Sequence, residues 1–219
     1  MPEERNQHQI IRKDAKNCFV ESLSDAFGKG KAHFAFATYD LSKPAGQRQT
    51  NSIHIYISVP ELLELCRKLS CGELRWLMQE KKKTGDTTPI QEWLGGTSAK
   101  KLQQYGRARS DGKSLSRTCR LVCGSKTDFL LVADSGPGEE TQKGLIVPRF
   151  GNKPENHVAV SLSLEALSEL FLMTKTHYES WLTAWYLSQV QTDQRHPQNQ
   201  TQTYGTQQPA PDYSGMKMF

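Results

Sequence analysis

Three histidines and one run of cations are the residues of this chain best suited to chemistry. His33, His54 and His157 each sit in a stretch that alternates apolar with polar residues: KAHFAFATYD, NSIHIYISV and NHVAVSLSL. Gathered into one cluster, the imidazoles would make a general base or a metal site. Lone histidines on wet strand faces are more often polar surface or polymer contacts, and that reading is preferred. The run from Lys100 to Arg120 carries Lys100, Lys101, Arg107, Arg109, Lys113, Arg117 and Arg120 against one acid, Asp111, with Tyr105 beside its first arginine. Cations clustered in this way neutralise phosphates and release counterions, and Tyr105 can stack on a base. A solvated linker is the alternative. A second cation and aromatic combination lies in RFGNKPEN, where Arg149 and Lys153 flank Phe150, a ring that either stacks on a ligand or closes the core.

Enzyme signatures are missing from the sequence. GSKTDF at Gly124 lacks the upstream glycine of a phosphate-cradling loop, no His and Cys spacing offers a zinc tetrad, and there is no Gly-x-Ser-x-Gly. The reading is a binding protein with no catalytic residues, no metal and no cofactor.

The elements that must position these residues come in two copies. Asn51 to Leu69 reads as a strand feeding a helix: Ile53, Ile55 and Ile57 alternate with Ser52, His54, Tyr56 and Ser58, then Pro60 opens a helix bearing Leu62, Leu63, Leu65, Cys66 and Leu69. Asn156 to Met173 repeats the plan with Val158, Val160 and Leu162, then Ser163 as a cap before Leu164, Leu167, Leu170 and Phe171. Matching His54 to His157 and Ser58 to Ser161 requires one inserted residue before Glu61 meets Glu165. DFLLVAD aligns with HFAFATY as the preceding strand, SGPGEETQKG reads as its hairpin loop, and LSKPAGQRQT, with Lys43 and Arg48, follows Tyr39 as the corresponding loop of the first copy. Cys18 to Phe27 is open between helix and strand. IQEWLGG reads as a short helix pinned to the core by Trp93 and Leu94. The last helix, Leu164 to about Leu187, bears Tyr178, Trp181 and Trp185, which pack the halves together or form a dimer interface.

The predicted fold class is α+β, two pseudo-repeated antiparallel-sheet-plus-helix units packed as one domain. The boundaries are a flexible N-terminus at 1–17, a duplicated domain at 18–187 with halves 18–98 and 116–187 and a basic linker 99–115, and a disordered Gln-rich tail at 188–219. A chain of 219 residues with net charge +5 modestly favours an anionic partner. No stretch approaches a membrane helix, no apolar leader opens the sequence, and the five cysteines form no Cys-x-x-Cys. A cytoplasmic protein with reduced thiols and no membrane partner is expected.

Strand-into-helix units in duplicate, with basic hairpins, resemble the Whirly and positive-cofactor-four family of single-stranded DNA-binding proteins. That resemblance, over about residues 18–187, implies two antiparallel sheets packed through their helices and single-stranded DNA or RNA held on the sheet face without sequence preference. It implies sheet contacts by His33, Tyr39, His54, Tyr56 and His157, and loop contacts by Lys43, Arg48, Arg107, Arg109, Arg149 and Lys153. The tail, ending PDYSGMKMF, resembles that of bacterial single-stranded DNA-binding proteins, although its tip has only Asp212 where those are strongly acidic. That likeness implies docking of a replication or repair protein at Tyr213, Met218 and Phe219. A monomer or homodimer from a bacterium, phage or mobile element fits this reading. A protein-assembly role for the Trp-rich last helix and a double-stranded DNA-binding regulator are the alternatives.

Overall fold

A computed structural model describes residues 7–44 and 46–195, with side chains to residue 191. The first half lays down four antiparallel strands in sequence order, β1 (Gln9–Ala15), β2 (Cys18–Leu23), β3 (Lys31–Tyr39) and β4 (Gln49–Ser58), then helices α1 (Val59–Ser70) and α2 (Glu73–Thr84). The second half builds a five-stranded sheet from β5 (Gln91–Thr97), β6 (Ser114–Cys123), β7 (Phe129–Glu140), β8 (Ile146–Pro148) and β9 (Asn156–Leu162). Short helix α3 (Ala99–Gln104) links β5 to β6, and α4 (Leu164–Arg195) closes the half. Two antiparallel sheets with helices make the chain α+β, as the patterning predicts.

Both strand-to-helix joints form, in a register without the insertion. Ile53, Ile55 and Ile57 face Phe36, Phe34 and Ala32 across β3, while Val158, Val160 and Leu162 face Ala133, Leu131 and Phe129 across β7. Ser58 caps α1 in a reciprocal pair with Glu61, and Ser163 caps α4 by accepting from the Ala166 amide at 3.1 Å. Asn51 therefore corresponds to Asn156, Ser58 to Ser163, Leu62 to Leu167 and Leu65 to Leu170, and His54 falls on Ala159 instead of His157. The counterpart of Phe34 is Leu131, two residues beyond the sequence alignment. Period two hides such slips, because a shift of two keeps every side chain on its face.

The halves share one core. The inner residues of both sheets join Leu62, Leu65 and Cys66 of α1 and Leu167, Leu170 and Phe171 of α4 in a continuous buried cluster. Phe171 lies 5.1 Å from Phe34 of the first sheet and 6.3 Å from Trp93 of the second, ring to ring. Further along α4, Tyr178 and Trp181 close on Phe27 of the first half at 5.4 and 6.1 Å. In the other direction α2 reaches the second half, where the Cys123 thiol donates to the Met78 carbonyl and Lys82 to the Thr127 carbonyl. The body extends to Thr183. The end of α4 from Ala184 is a separate unit, in which Trp185 and Tyr186 meet edge to face and both are exposed with Leu187 and Val190.

Several boundaries differ from the sequence reading. The segment expected to be a flexible N-terminus contains β1, which turns into β2 through Asn17 in the left-handed region at φ 60°. IQEWLGG is an edge strand instead of a helix, so the halves part between α2 and β5 and the basic run lies inside the second half. Only 105–113 of that run is loop. SGPGEE continues β7 to Glu140, and α4 runs to Arg195. Tyr213, Met218 and Phe219 lie outside the described residues. No described helix is long and apolar enough to cross a membrane.

The end of β7 with β8 folds over the outer face of the second sheet. Ile146 lies against Gly96 and Gly138, and the Phe150 ring against Gly136. A Cβ on Gly96 would fall 2.5 Å from the Leu115 carbonyl oxygen and 2.7 Å from the Ile146 Cβ. Gly96→Ala is expected to lower stability by about 1–3 kcal/mol through overpacking, read as a lower urea midpoint with the denaturant slope unchanged. An unchanged midpoint would show that β8 does not press on β5.

Candidate nucleic-acid interface

The outer face of the first sheet is a floor of small residues walled by rings and charges. Strand register sets it out in rows: Arg12, Glu21, Ala35 and His54; Asp14, Phe19, Ala37 and Ser52; Leu23, His33 and Tyr56. Ala35 and Ala37 are buried, because larger side chains on either side lean across them. His33 stacks under Tyr56 with centroids 4.3 Å apart and planes 19° apart. At the other end the Arg12 guanidinium covers Phe19 at 3.6 Å, and Phe19 stacks with Tyr39 at 6.4 Å. His33 is 3% exposed, whereas Tyr56 is 48% exposed and presents one ring face outward.

A hydrogen-bonded chain crosses this face. His33 Nδ1 is 2.7 Å from Asp25 Oδ1, His33 Nε2 is 2.9 Å from His54 Nδ1, and His54 Nε2 is 3.1 Å from Ser52 Oγ. Burial pushes the His54 pKa down, and the neighbouring His33 and the guanidiniums of Arg117 and Arg107 push it further. Burial raises the Tyr56 phenol and the Glu21 carboxyl and lowers Arg117.

Around the free edge of β4 the face opens into a groove of about 260 Å³ lined by Lys31, His54, Tyr56, Trp93, Gly95 and Arg117. Arg117 shares the core-side face of β6 with Cys119 and Leu121 but stands at its margin, half-buried, donating to Thr97 Oγ1 at 3.1 Å. A second cleft, about 330 Å³, lies between Arg12, Phe19, Tyr39, Leu41 and Arg48. The outer face and its two clefts thus bring together His33, Tyr39, Arg48, His54, Tyr56 and Arg117, with Arg107 near enough to act on His54. Lys43 is exposed on the same loop as Arg48, to which it offers its carbonyl.

The remaining basic residues divide by whether an acid holds them. Lys100 and Lys101 are exposed on α3, Tyr105 is 65% exposed just after it, and Arg107 and Lys113 are exposed in the loop with no ion pair among the described residues. Arg109 instead donates to Asp111 and Glu155 through four bonds of 2.6–3.0 Å, fastening the loop to the segment before β9. Those bonds hold Asp111 down to about 2 and lower Glu155. On the second sheet, His157 and Arg120 both engage the buried Asp134 at 2.6 Å, Arg149 pairs with Glu139, and Lys153 is exposed. His157, Arg149, Phe150 and Lys153 are therefore not part of the face around Tyr56. Phe150 is half-buried against Gly136 on the outer sheet face, outside the buried core it was expected either to close or to leave free for stacking. Sequence reasoning missed Arg12, Phe19, Glu21 and Asp25. Neither end of this set is written locally: Arg12 lies on a largely polar edge strand, and Asp25 enters only through folding.

Among the described residues no group of three or more His, Cys, Asp or Glu side chains is placed to hold a metal ion. Comparison with protein-family models, curated proteins and solved structures finds no match. Arg109→Ala is expected to release the 105–113 loop, seen as faster tryptic cleavage at Arg107 and faster amide exchange over residues 105–113. Lys113→Ala should leave both rates unchanged, and equal rates in the Arg109 variant would deny the fastening role.

Proposed function

We propose that this protein binds single-stranded nucleic acid, largely without sequence preference, on the outer face of its first sheet and the groove beside it. The observation that carries the reading is Tyr56: a half-exposed ring, backed by His33, at the mouth of a groove that Arg117 lines, with Arg107 close enough to act on His54 and making no ion pair among the described residues. A base stacked on such a ring gains affinity whatever its identity, and the adjacent cations suit the phosphates on either side. The cleft between Arg12, Phe19, Tyr39 and Arg48 offers a second ring and cation combination on the same face. Lys100, Lys101 and Lys113 extend the positive surface from the α3 side. In this reading the protein coats or protects the strand, with no catalytic step of its own, and the resemblance to Whirly-type proteins is one of architecture and mode of binding.

The test is fluorescence anisotropy of a labelled thymine oligonucleotide at two salt concentrations, with duplex as competitor. Expected are salt-sensitive binding and poor displacement by duplex. Tyr56→Ala should cost about 1–3 kcal/mol while Tyr56→Phe retains affinity. Arg107→Ala should flatten the salt slope by about 0.7 for one lost phosphate contact. No binding at low salt, or equal competition by duplex, would falsify the reading.

A further inference from the structure

Stacking and phosphate contacts leave the chain Asp25–His33–His54–Ser52 unexplained. Its hydrogen bonds admit one proton arrangement when both imidazoles are neutral. The Asp25 carboxylate can only accept, so His33 Nδ1 carries a proton and its Nε2 is an acceptor. His54 Nδ1 must then donate to it, which leaves His54 Nε2 as an acceptor for the Ser52 hydroxyl. One added proton permits a second arrangement. It enters at His54 Nε2, the Nδ1 proton passes to His33 Nε2, and the positive charge rests on His33 against Asp25, away from the guanidiniums. His54 is then neutral with its N–H directed outward. Both His54 and Ser52 are exposed, so this end of the chain meets solvent while His33 is enclosed.

We propose that this chain is a proton-loaded phosphate subsite: uptake of one proton turns His54 Nε2 from acceptor into donor, and with the Ser52 hydroxyl it takes a backbone phosphate of the bound strand. The proposal rests on the nucleic-acid reading above. His54 is bonded to Ser52 of its own strand and His33 of β3, shares its groove with Tyr56, Lys31 of β3 and Arg117 of β6, and is acted on by Asp25 from the loop after β2 and Arg107 from the α3–β6 loop. The two guanidiniums oppose a positive charge on His54 itself and Asp25 favours it, so the loaded arrangement puts the charge on His33 against Asp25. A phosphate at the exposed end accepts from His54 Nε2–H and thereby favours the loaded arrangement, so binding draws the proton in. Affinity is then full below the free pKa and falls, by up to about tenfold per pH unit, as pH rises toward the bound pKa.

The test uses the full chain labelled with ¹⁵N-histidine, titrated from about pH 5.5 to 8.5 with inorganic phosphate or with chloride of equal ionic strength. Without phosphate, at the upper end of that range, His54 is expected as the Nδ1–H tautomer. Phosphate should raise the midpoint of the chain by about one pH unit, equivalent to tenfold tighter phosphate binding by the loaded form, and switch His54 to Nε2–H. In oligonucleotide anisotropy, His54→Gln should lose the pH slope that the wild type shows. An Nε2–H tautomer in the unloaded protein, a midpoint that phosphate does not move, or an unchanged slope in His54→Gln each overturns the proposal. If phosphate moves the midpoint but the oligonucleotide does not bind at any pH, the nucleic-acid reading fails, and with it the assignment of the phosphate to a backbone, while the proton chain stands.

Discussion

The packing of Phe171 is the contact on which the rest of the molecule depends. This fully buried ring, on a helix from the second half, touches Phe34 of one sheet and Trp93 of the other, and its carbonyl accepts from the Cys66 thiol of α1. Neither half can bury its inner sheet face alone. A four-stranded sheet with two short helices leaves apolar surface that only the neighbouring half covers, and aromatic rings contribute the largest share of such burial. The exchange is reciprocal, since α4 reaches Phe27 while α2 reaches β6. The duplicated units therefore fold as one body, with both inner faces committed to the core and only the outer faces left for a ligand.

The two outer faces have diverged. On the second sheet, Gly96, Gly136 and Gly138 admit Ile146 and Phe150, and the hairpin that carries them closes over the strands. Buried Ser114, Ser116 and Thr118 lie on this side of β6, and Asp134 is held by His157 and Arg120. On the first sheet no such hairpin intervenes among the described residues: β3 and β4 are joined by a polar loop, and rings and guanidiniums stand over alanines. Duplication thus supplies a scaffold with one covered face and one open face, which is why the histidines of the two halves have unlike surroundings.

How much of this could be read from the chain follows from which interactions are local. The strand-to-helix joints were legible because period-two runs and capping serines are written within twenty residues of one another. β5 was not: Trp93, Leu94, Gly95 and Gly96 break the alternation, because an edge strand buries one ring and leaves a bare backbone for Ile146 to cover. β1 was missed because it is a largely polar edge strand that exists through pairing with β2. His54 and Tyr56 could be placed on a wet face from alternation alone, and Arg48 and Arg117 could be named as available cations. That Arg117 lines one groove with Tyr56, that Arg109 is held by Glu155 and that Asp25 anchors His33 are juxtapositions of segments far apart in sequence or across a turn, where composition carries no signal.

His33 carries the argument for function furthest. It sits 3% exposed beside two alanines on a strand whose other face is Phe34 and Phe36, a position where an apolar side chain would be the simpler choice for stability. An enclosed imidazole must have partners for both ring nitrogens, and a chain of four polar groups is worth keeping only if every member is satisfied. Here each is satisfied, and the chain ends at exposed atoms between a half-exposed ring and two guanidiniums. Local rules that a fold breaks without a gain in packing concentrate where a molecule meets its ligand. The enclosed end holds the geometry and the exposed end presents it, so the side chains of this face are ordered by folding itself, which under the proposed function would spare that cost on binding.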